Sequence, residues 1–334
     1  MTEAPAAQAY WVVHPGEGEL RAERMRAQPR PGHSLVRAAF SAVSAGTERM
    51  VGLAQIPAAC HAAMACRGMA GHFPLPVKYG YALVGVGVAG ALDGRRVFVM
   101  HPHQDLIEID DRDAVLIPDA VPLPRATLFA NMETAVNAVW DANLAPTERT
   151  LVLGAGAVGL LTALAAARLS GAAPTLVEAD PDRAARANGF HFVARVLRPS
   201  EVEPGCFDVA LHATGTAAGL QLAIDALGFE GRVVDLSWYG ATPVTLDLGS
   251  SFHHQRKRIV ASQVATVAPS RRGPFGARER AAVVWSLLAD ASLDGLFSPP
   301  IPFPTLPAFM HAMYAGSASH STPVACVPLV AYGA

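Results

Sequence analysis

Short apolar runs broken by Gly and Pro fill the first third of the chain. Tyr10-Trp11-Val12-Val13, Ser34-Leu35-Val36-Arg37-Ala38, residues 82–88 and Arg96-Val97-Phe98-Val99 have the length and character of strands. Pro29-Arg30-Pro31-Gly32 and Leu92-Asp93-Gly94 supply turns between them. Residues 52–76 follow no period and read as an irregular loop or lid. From about Pro124 the pattern changes. Residues 125–142 suit a helix, and from Thr150 strands alternate with helices: 151–153, then helix 160–170, strand 175–177, strand 207–212, helix 218–227 and strand 231–236. Such alternation predicts a parallel, doubly wound sheet with ligands at the carboxyl ends of its strands. A last helix, 278–289, leads through a Pro-rich segment to a final strand, 323–330, expected to return to the N-terminal part. The fold class is α/β. We expect a β-rich domain over 1–124 and 268–334 and an α/β domain with the doubly wound sheet over 125–267.

The strand 151–153 runs straight into Gly154-Ala155-Gly156-Ala157-Val158-Gly159. In a Gly-x-Gly-x-x-Gly turn the first glycine permits the tight bend. The second lets a pyrophosphate approach the backbone, and the third lets helix and strand pack closely. The helix that follows offers free N–H groups and a positive dipole end to the phosphates. The next strand ends in Glu178, a carboxylate suited to the adenosine ribose hydroxyls; it favours NAD over the 2′-phosphate of NADP. Asp180 and Asp182 reinforce this, and Arg183 is the one local cation that would favour NADP.

At 334 residues the chain exceeds the ~250–300 residues at which single cores stop growing, so two domains are expected. It is 51% hydrophobic and 16% charged with net charge −2, which suits a large core and argues against nucleic acid as a partner. No apolar stretch reaches the ~20 residues of a membrane span, and no secretory signal pattern opens the sequence. Four cysteines in so long a chain do not suggest a disulfide framework. The expected setting is the cytoplasm, without a membrane partner.

The β-rich start, central glycine-loop domain and C-terminal return resemble the medium-chain dehydrogenase/reductase superfamily over nearly the whole chain. Two segments are similar to its branch containing bacteriochlorophyllide a dehydrogenase: Ser41-Ala42-Val43-Ser44-Ala45-Gly46-Thr47-Glu48-Arg49, and Phe73-Pro74-Leu75-Pro76-Val77-Lys78-Tyr79-Gly80-Tyr81. Trp238-Tyr239-Gly240 and the stretch 252–263 look like the same branch. The resemblance implies a GroES-like catalytic domain beside a Rossmann domain, hydride transfer between a nicotinamide and a small-molecule substrate, and a homodimer joined through the Rossmann sheet edge. It also implies cofactor contacts at Thr134, Thr214, Ser237 and Trp238. The positions matching the family's catalytic zinc ligands are Ser44, Tyr81 and Ala130. Hydroxyls and an alanine are poor or no zinc ligands, so the expectation is chemistry without zinc.

Without a metal, hydroxyl donors must stabilise the alkoxide that develops on reduction of a carbonyl. Tyr81 is the candidate donor, or else it only fills the volume of a lost metal. Thr47 matches a proton-relaying Ser or Thr of relatives, Ser44 is adjacent, and Glu48 could orient either hydroxyl. The leading expectation is an NAD(P)-dependent alcohol dehydrogenase or ketoreductase acting on a bulky, ring-containing substrate. Enoyl or quinone reduction and non-catalytic dinucleotide binding are the alternatives. The other features carry blander expectations: Cys60, His61, Cys66 and His72 as loop residues rather than a metal site, His101 and His103 at the surface, and Lys78 solvated. Glu133 is expected as a first-turn helix charge. The seven basic residues between 256 and 280 are expected as a solvated face, or else as an attractor for an anionic substrate.

Overall fold

The computed structural model describes residues 6–316 and 326–333. The chain forms two compact units, 1–130 with 293–334, and 131–292.

The first unit is β-rich. Its larger sheet runs in the order Ile301–Pro302, Leu329–Ala331, His33–Ala42, Leu83–Ala89, Arg96–Val99, Val115–Leu116, with Leu106–Asp110 also paired to His33–Ala42. The expected C-terminal return is made by Leu329–Ala331, antiparallel to His33–Ala42 with Leu329 opposite Ala42. Residues 323–325 of the expected strand lie outside the described residues. A smaller sheet runs Glu17–Arg24, Ala6–His14, Val77–Lys78, Ala70–Gly71. Ala6–His14 alternates apolar-in and polar-out over much of its length, whereas the edge strand Glu17–Arg24 is charged along most of it. Charges of that kind keep an open edge from pairing with other chains.

The second unit holds a six-stranded, all-parallel sheet in the order Arg195–Leu197, Thr175–Val177, Thr150–Leu153, Phe207–His212, Leu227–Asp235, Arg258–Ala261. Numbered along the sequence this is 3-2-1-4-5-6, the order whose reversal beside the first strand creates a ligand crevice. Thr150–Leu153 is buried throughout, as expected for a strand covered on both faces. The helix Ala157–Ser170 is Ala/Leu-rich nearly all round and mostly buried, and it stops at Gly171, whose φ of 81° only glycine adopts easily.

The units divide later than the sequence suggested, at 292/293 rather than 267/268. The cause is the helix Ala277–Leu288. Its Arg280 is 6% exposed and reaches Glu133 Oε1 at 3.1 Å, Asn137 Oδ1 at 3.3 Å and the carbonyl of Val264 at 2.8 Å. These bonds tie the helix to the second unit. They also correct Glu133, which is a half-buried ion-pair partner rather than a first-turn charge; burial raises its carboxyl even beside Arg280.

Candidate functional site

In the first unit the segment 44–49 turns from strand into the helix Ala45–Gly52. Glu48 accepts the Ser44 N–H at 2.8 Å, closing the helix start with its own side chain. The Tyr81 hydroxyl donates to Ser44 Oγ, and the Thr47 hydroxyl is near enough to draw its pKa down. The four catalytic candidates, Tyr81, Thr47, Ser44 and Glu48, are therefore neighbours. Burial pushes the Tyr81 phenol above its ordinary value, against the opposing pull of Ser44 and Thr47. It is a neutral O–H at physiological pH.

Behind them runs a polar line that sequence reasoning missed. His103 Nε2 lies 2.9 Å from Glu48 Oε2. His103 Nδ1 lies 2.7 Å from Ser41 Oγ, which lies 2.8 Å from the Tyr332 hydroxyl. Glu48 and His103 are 3% and 2% exposed. His101 is buried too, and its imidazole is pushed down to about 4, chiefly by burial. Both histidines thus depart from the expected surface position. Their place between the apolar runs 97–99 and 106–109 was the available signal.

Lys78 is likewise not solvated. It is buried, with Nζ 2.8 Å from Glu23 Oε2 and 2.7 Å from Gln104 Oε1. Nor do the basic residues between 256 and 280 make one face. Lys257 is buried and donates to the carbonyl of Ile224, Arg256 pairs with Glu230, and Arg280 is interior. Cys60 and Cys66 are half-buried. His61 and His72 bond backbone carbonyls. No group of three or more His, Cys, Asp or Glu among the described residues is placed to hold a metal.

In the second unit Gly154, Gly156 and Gly159 each meet a distinct demand. Gly154 has φ 101°. A Cβ on Gly159 would lie 1.9 Å from the carbonyl oxygen of Gly154, so helix and loop touch there. A Cβ on Gly156 would meet nothing within 4 Å; the space beside this backbone, at the helix N-terminus, is open. Ala157 and Val158 form the first turn of the helix. Glu178 has a place in the loop that the sequence did not show: Oε2 accepts the Ala155 N–H at 2.7 Å, and Oε1 accepts those of Ala179 and Asp180 at 2.8 and 2.9 Å. Arg183 is exposed on the helix Pro181–Ala187, capped by Asp180. Thr134 is half-buried in the helix Phe129–Ala142. Thr214 is exposed at the end of strand Phe207–His212, and Ser237 and Trp238 are half-buried after strand Leu227–Asp235. Open space at Gly156, an amide-rich helix start and hydroxyls at neighbouring strand ends fit a dinucleotide.

Solved structures share this architecture over nearly the full chain. An alcohol dehydrogenase from Escherichia coli CFT073, complexed with NADH, aligns with TM-score 0.75 and 14% identity over 98% of this chain and 99% of its own. The fold is that of an alcohol dehydrogenase. A putative zinc-binding dehydrogenase from Sinorhizobium meliloti 1021, bound to NADP, gives TM-score 0.75 and 18% identity over 98% of this chain and 99% of its own. Among curated proteins, an uncharacterized zinc-type alcohol dehydrogenase-like protein of Escherichia coli K12 is 28% identical over 176 residues, 49% of either chain. The chain thus spans about half the length of that relative. No family model matches.

The name of that relative raises the question of zinc. The resemblance set Ser44, Tyr81 and Ala130 against the usual ligand positions, and in the fold the hydroxyls of Ser44 and Tyr81 bond each other. Zinc takes thiolate, imidazole or carboxylate, and a neutral phenol with a serine does not fit it.

Proposed function

We propose that this chain is a zinc-independent NAD(P)-dependent oxidoreductase that interconverts a carbonyl and a secondary alcohol. The observation that carries the reading is the neutral Tyr81 hydroxyl bonded to that of Ser44, with Thr47 in the helix turn that starts there. Bound nicotinamide supplies or takes up the hydride. In reduction, the carbonyl π electrons move onto oxygen as the carbon receives hydride, and the neutral Tyr81 phenol gives that oxygen its proton. Ser44 and Thr47 hold the phenol, while Glu48 anchors the segment that carries both. After transfer, the Ser44 hydroxyl turns to donate to the Tyr81 oxygen and takes its own replacement from solvent, which reaches this half-buried serine. The second unit binds the nucleotide through Gly154, Gly156, Ala157, Val158 and Gly159.

NAD is the proposed cofactor, because Glu178 places a carboxylate where a 2′-phosphate would be repelled; NADP is the alternative that Arg183 would serve. A bulky, ring-containing substrate is proposed from the resemblance at 41–49 and 73–81. The Tyr239 hydroxyl bonds Asp235 Oδ2 at 3.0 Å, which ties that ring to the end of the strand Leu227–Asp235. A homodimer is proposed, with the edge strand Arg258–Ala261 as its seam; Arg258 and Ile259 are exposed there.

The test is Tyr81→Phe, assayed on panels of ketones and quinones with NADH. Loss of the acid should lower kcat for ketones by at least ~100-fold. A ketone kcat unchanged from wild type would overturn the assignment, and quinone turnover alone would move the protein to the alternative reduction class.

A further inference from the structure

The strand Phe207–His212 ends in a histidine with no exposed surface and with both ring nitrogens engaged. His212 Nδ1 lies 2.9 Å from Oδ1 of Asp235, its register partner on the neighbouring parallel strand. His212 Nε2 lies 2.6 Å from Oγ1 of Thr214. Asp235 also accepts the Ser237 N–H and the Tyr239 hydroxyl, each at 3.0 Å. Ser237 Oγ in turn accepts the Gly215 N–H at 3.0 Å. One imidazole–carboxylate pair, buried on its imidazole side, therefore ties together the two turns that follow adjacent strands.

The protons can be assigned. Burial pulls the Asp235 carboxyl up, but His212, the Ser237 N–H and Tyr239 together hold it below its ordinary value. It is an anion and can only accept, so Nδ1 of His212 carries a hydrogen. Nε2 is left to face the Thr214 hydroxyl. That oxygen also accepts the Thr216 N–H at 3.2 Å. On the helix side the arrangement is closed: a Cβ on Gly219 would lie 2.1 Å from Thr214 Oγ1 and 2.9 Å from His212 Nε2. Thr214 itself is exposed, at the carboxyl end of the sheet where ligands of such folds bind.

We infer that His212, backed by Asp235, is a positioning residue for the nicotinamide dinucleotide, which it serves by fixing the hydroxyl of Thr214. The inference rests on the nucleotide reading of the second unit and adds to it a residue that touches no ligand. An unfixed threonine hydroxyl would have to be ordered when the cofactor binds; here that ordering is complete beforehand.

The test is a double-mutant cycle on NADH affinity, read by fluorescence titration of the full chain. His212→Ala and Thr214→Val should each weaken NADH about fivefold, and the double variant no more than either alone, because both act through one hydroxyl. A purely structural histidine would give losses that add; additive losses, or unchanged affinity in either single variant, overturn the inference. Asp235→Asn keeps the shape of the pair and stands in if His212→Ala does not fold; it should show the same non-additivity with Thr214→Val. Gly156→Asp separates the two levels of the argument. If that variant binds NADH normally, the nucleotide site itself is wrong. If it loses binding while the His212 and Thr214 variants keep theirs, the positioning role alone falls.

Discussion

Glu178 Oε2 accepts the backbone N–H of Ala155 at 2.7 Å. The carboxylate that ends the second strand of the parallel sheet thereby holds the first turn of the glycine loop. Its other oxygen takes the N–H groups of Ala179 and Asp180. One side chain is thus shaping the loop while setting a negative charge beside it.

Glu178→Ala should therefore act on both affinity and choice of cofactor. Losing charge-assisted bonds to the loop should weaken NADH about tenfold, while removal of the charge should raise NADPH binding relative to NADH. Titrations with both nucleotides check this. An unchanged preference in the variant would contradict the NAD assignment.

Glu48→Ala leaves the buried Nε2 of His103 without its partner and the Ser44 N–H without its acceptor. Breaking one side of a buried pair of this kind costs about 3 kcal/mol. Urea unfolding of the variant should show that loss. A cost near zero would mean that the pair does not hold the 44–48 turn.

His101 gives a pH dependence with a definite sign. Its folded value is about 4 against an ordinary 6.5. Between these values the unfolded chain binds a proton that the folded chain refuses. Stability therefore falls as pH drops from 6.5 towards 4, by up to about 3 kcal/mol. His101→Gln should flatten that part of the curve, measured as the difference in unfolding free energy from wild type at each pH. Parallel curves for the two proteins would contradict the assignment.

Gly159→Ala forces a methyl to within 1.9 Å of the Gly154 carbonyl oxygen, which is backbone and cannot swing aside. Helix and loop must separate, at a cost of about 2 kcal/mol and with loss of NADH affinity. Calorimetry with a parallel titration reads both.

The parallel sheet was legible because strands buried on both faces are continuous apolar runs, as in 151–153 and 209–211. The glycine spacing added the loop. The later domain boundary was not legible, since Arg280 looks like a surface charge until the helix Phe129–Ala142 supplies Glu133 and Asn137. The same blindness hid His103, Lys78 and His212. Each is a polar residue whose burial depends on a partner distant in sequence: Glu48, Glu23 and Asp235. Periodicity reports which face of an element is apolar, but says nothing of which polar groups meet inside. Tyr81, Ser44 and Thr47 were found through resemblance, and only the fold shows the hydroxyls of Tyr81 and Ser44 in contact.

The central claim is that a nucleotide lies against the backbone of Gly156. That position suits a clean experiment, because a Cβ there meets nothing within 4 Å and φ is an ordinary −77°. Gly156→Asp should fold with wild-type circular dichroism and melting behaviour. Titrated with NADH, the folded variant should show no binding where the wild type saturates; wild-type affinity in the variant would contradict the claim.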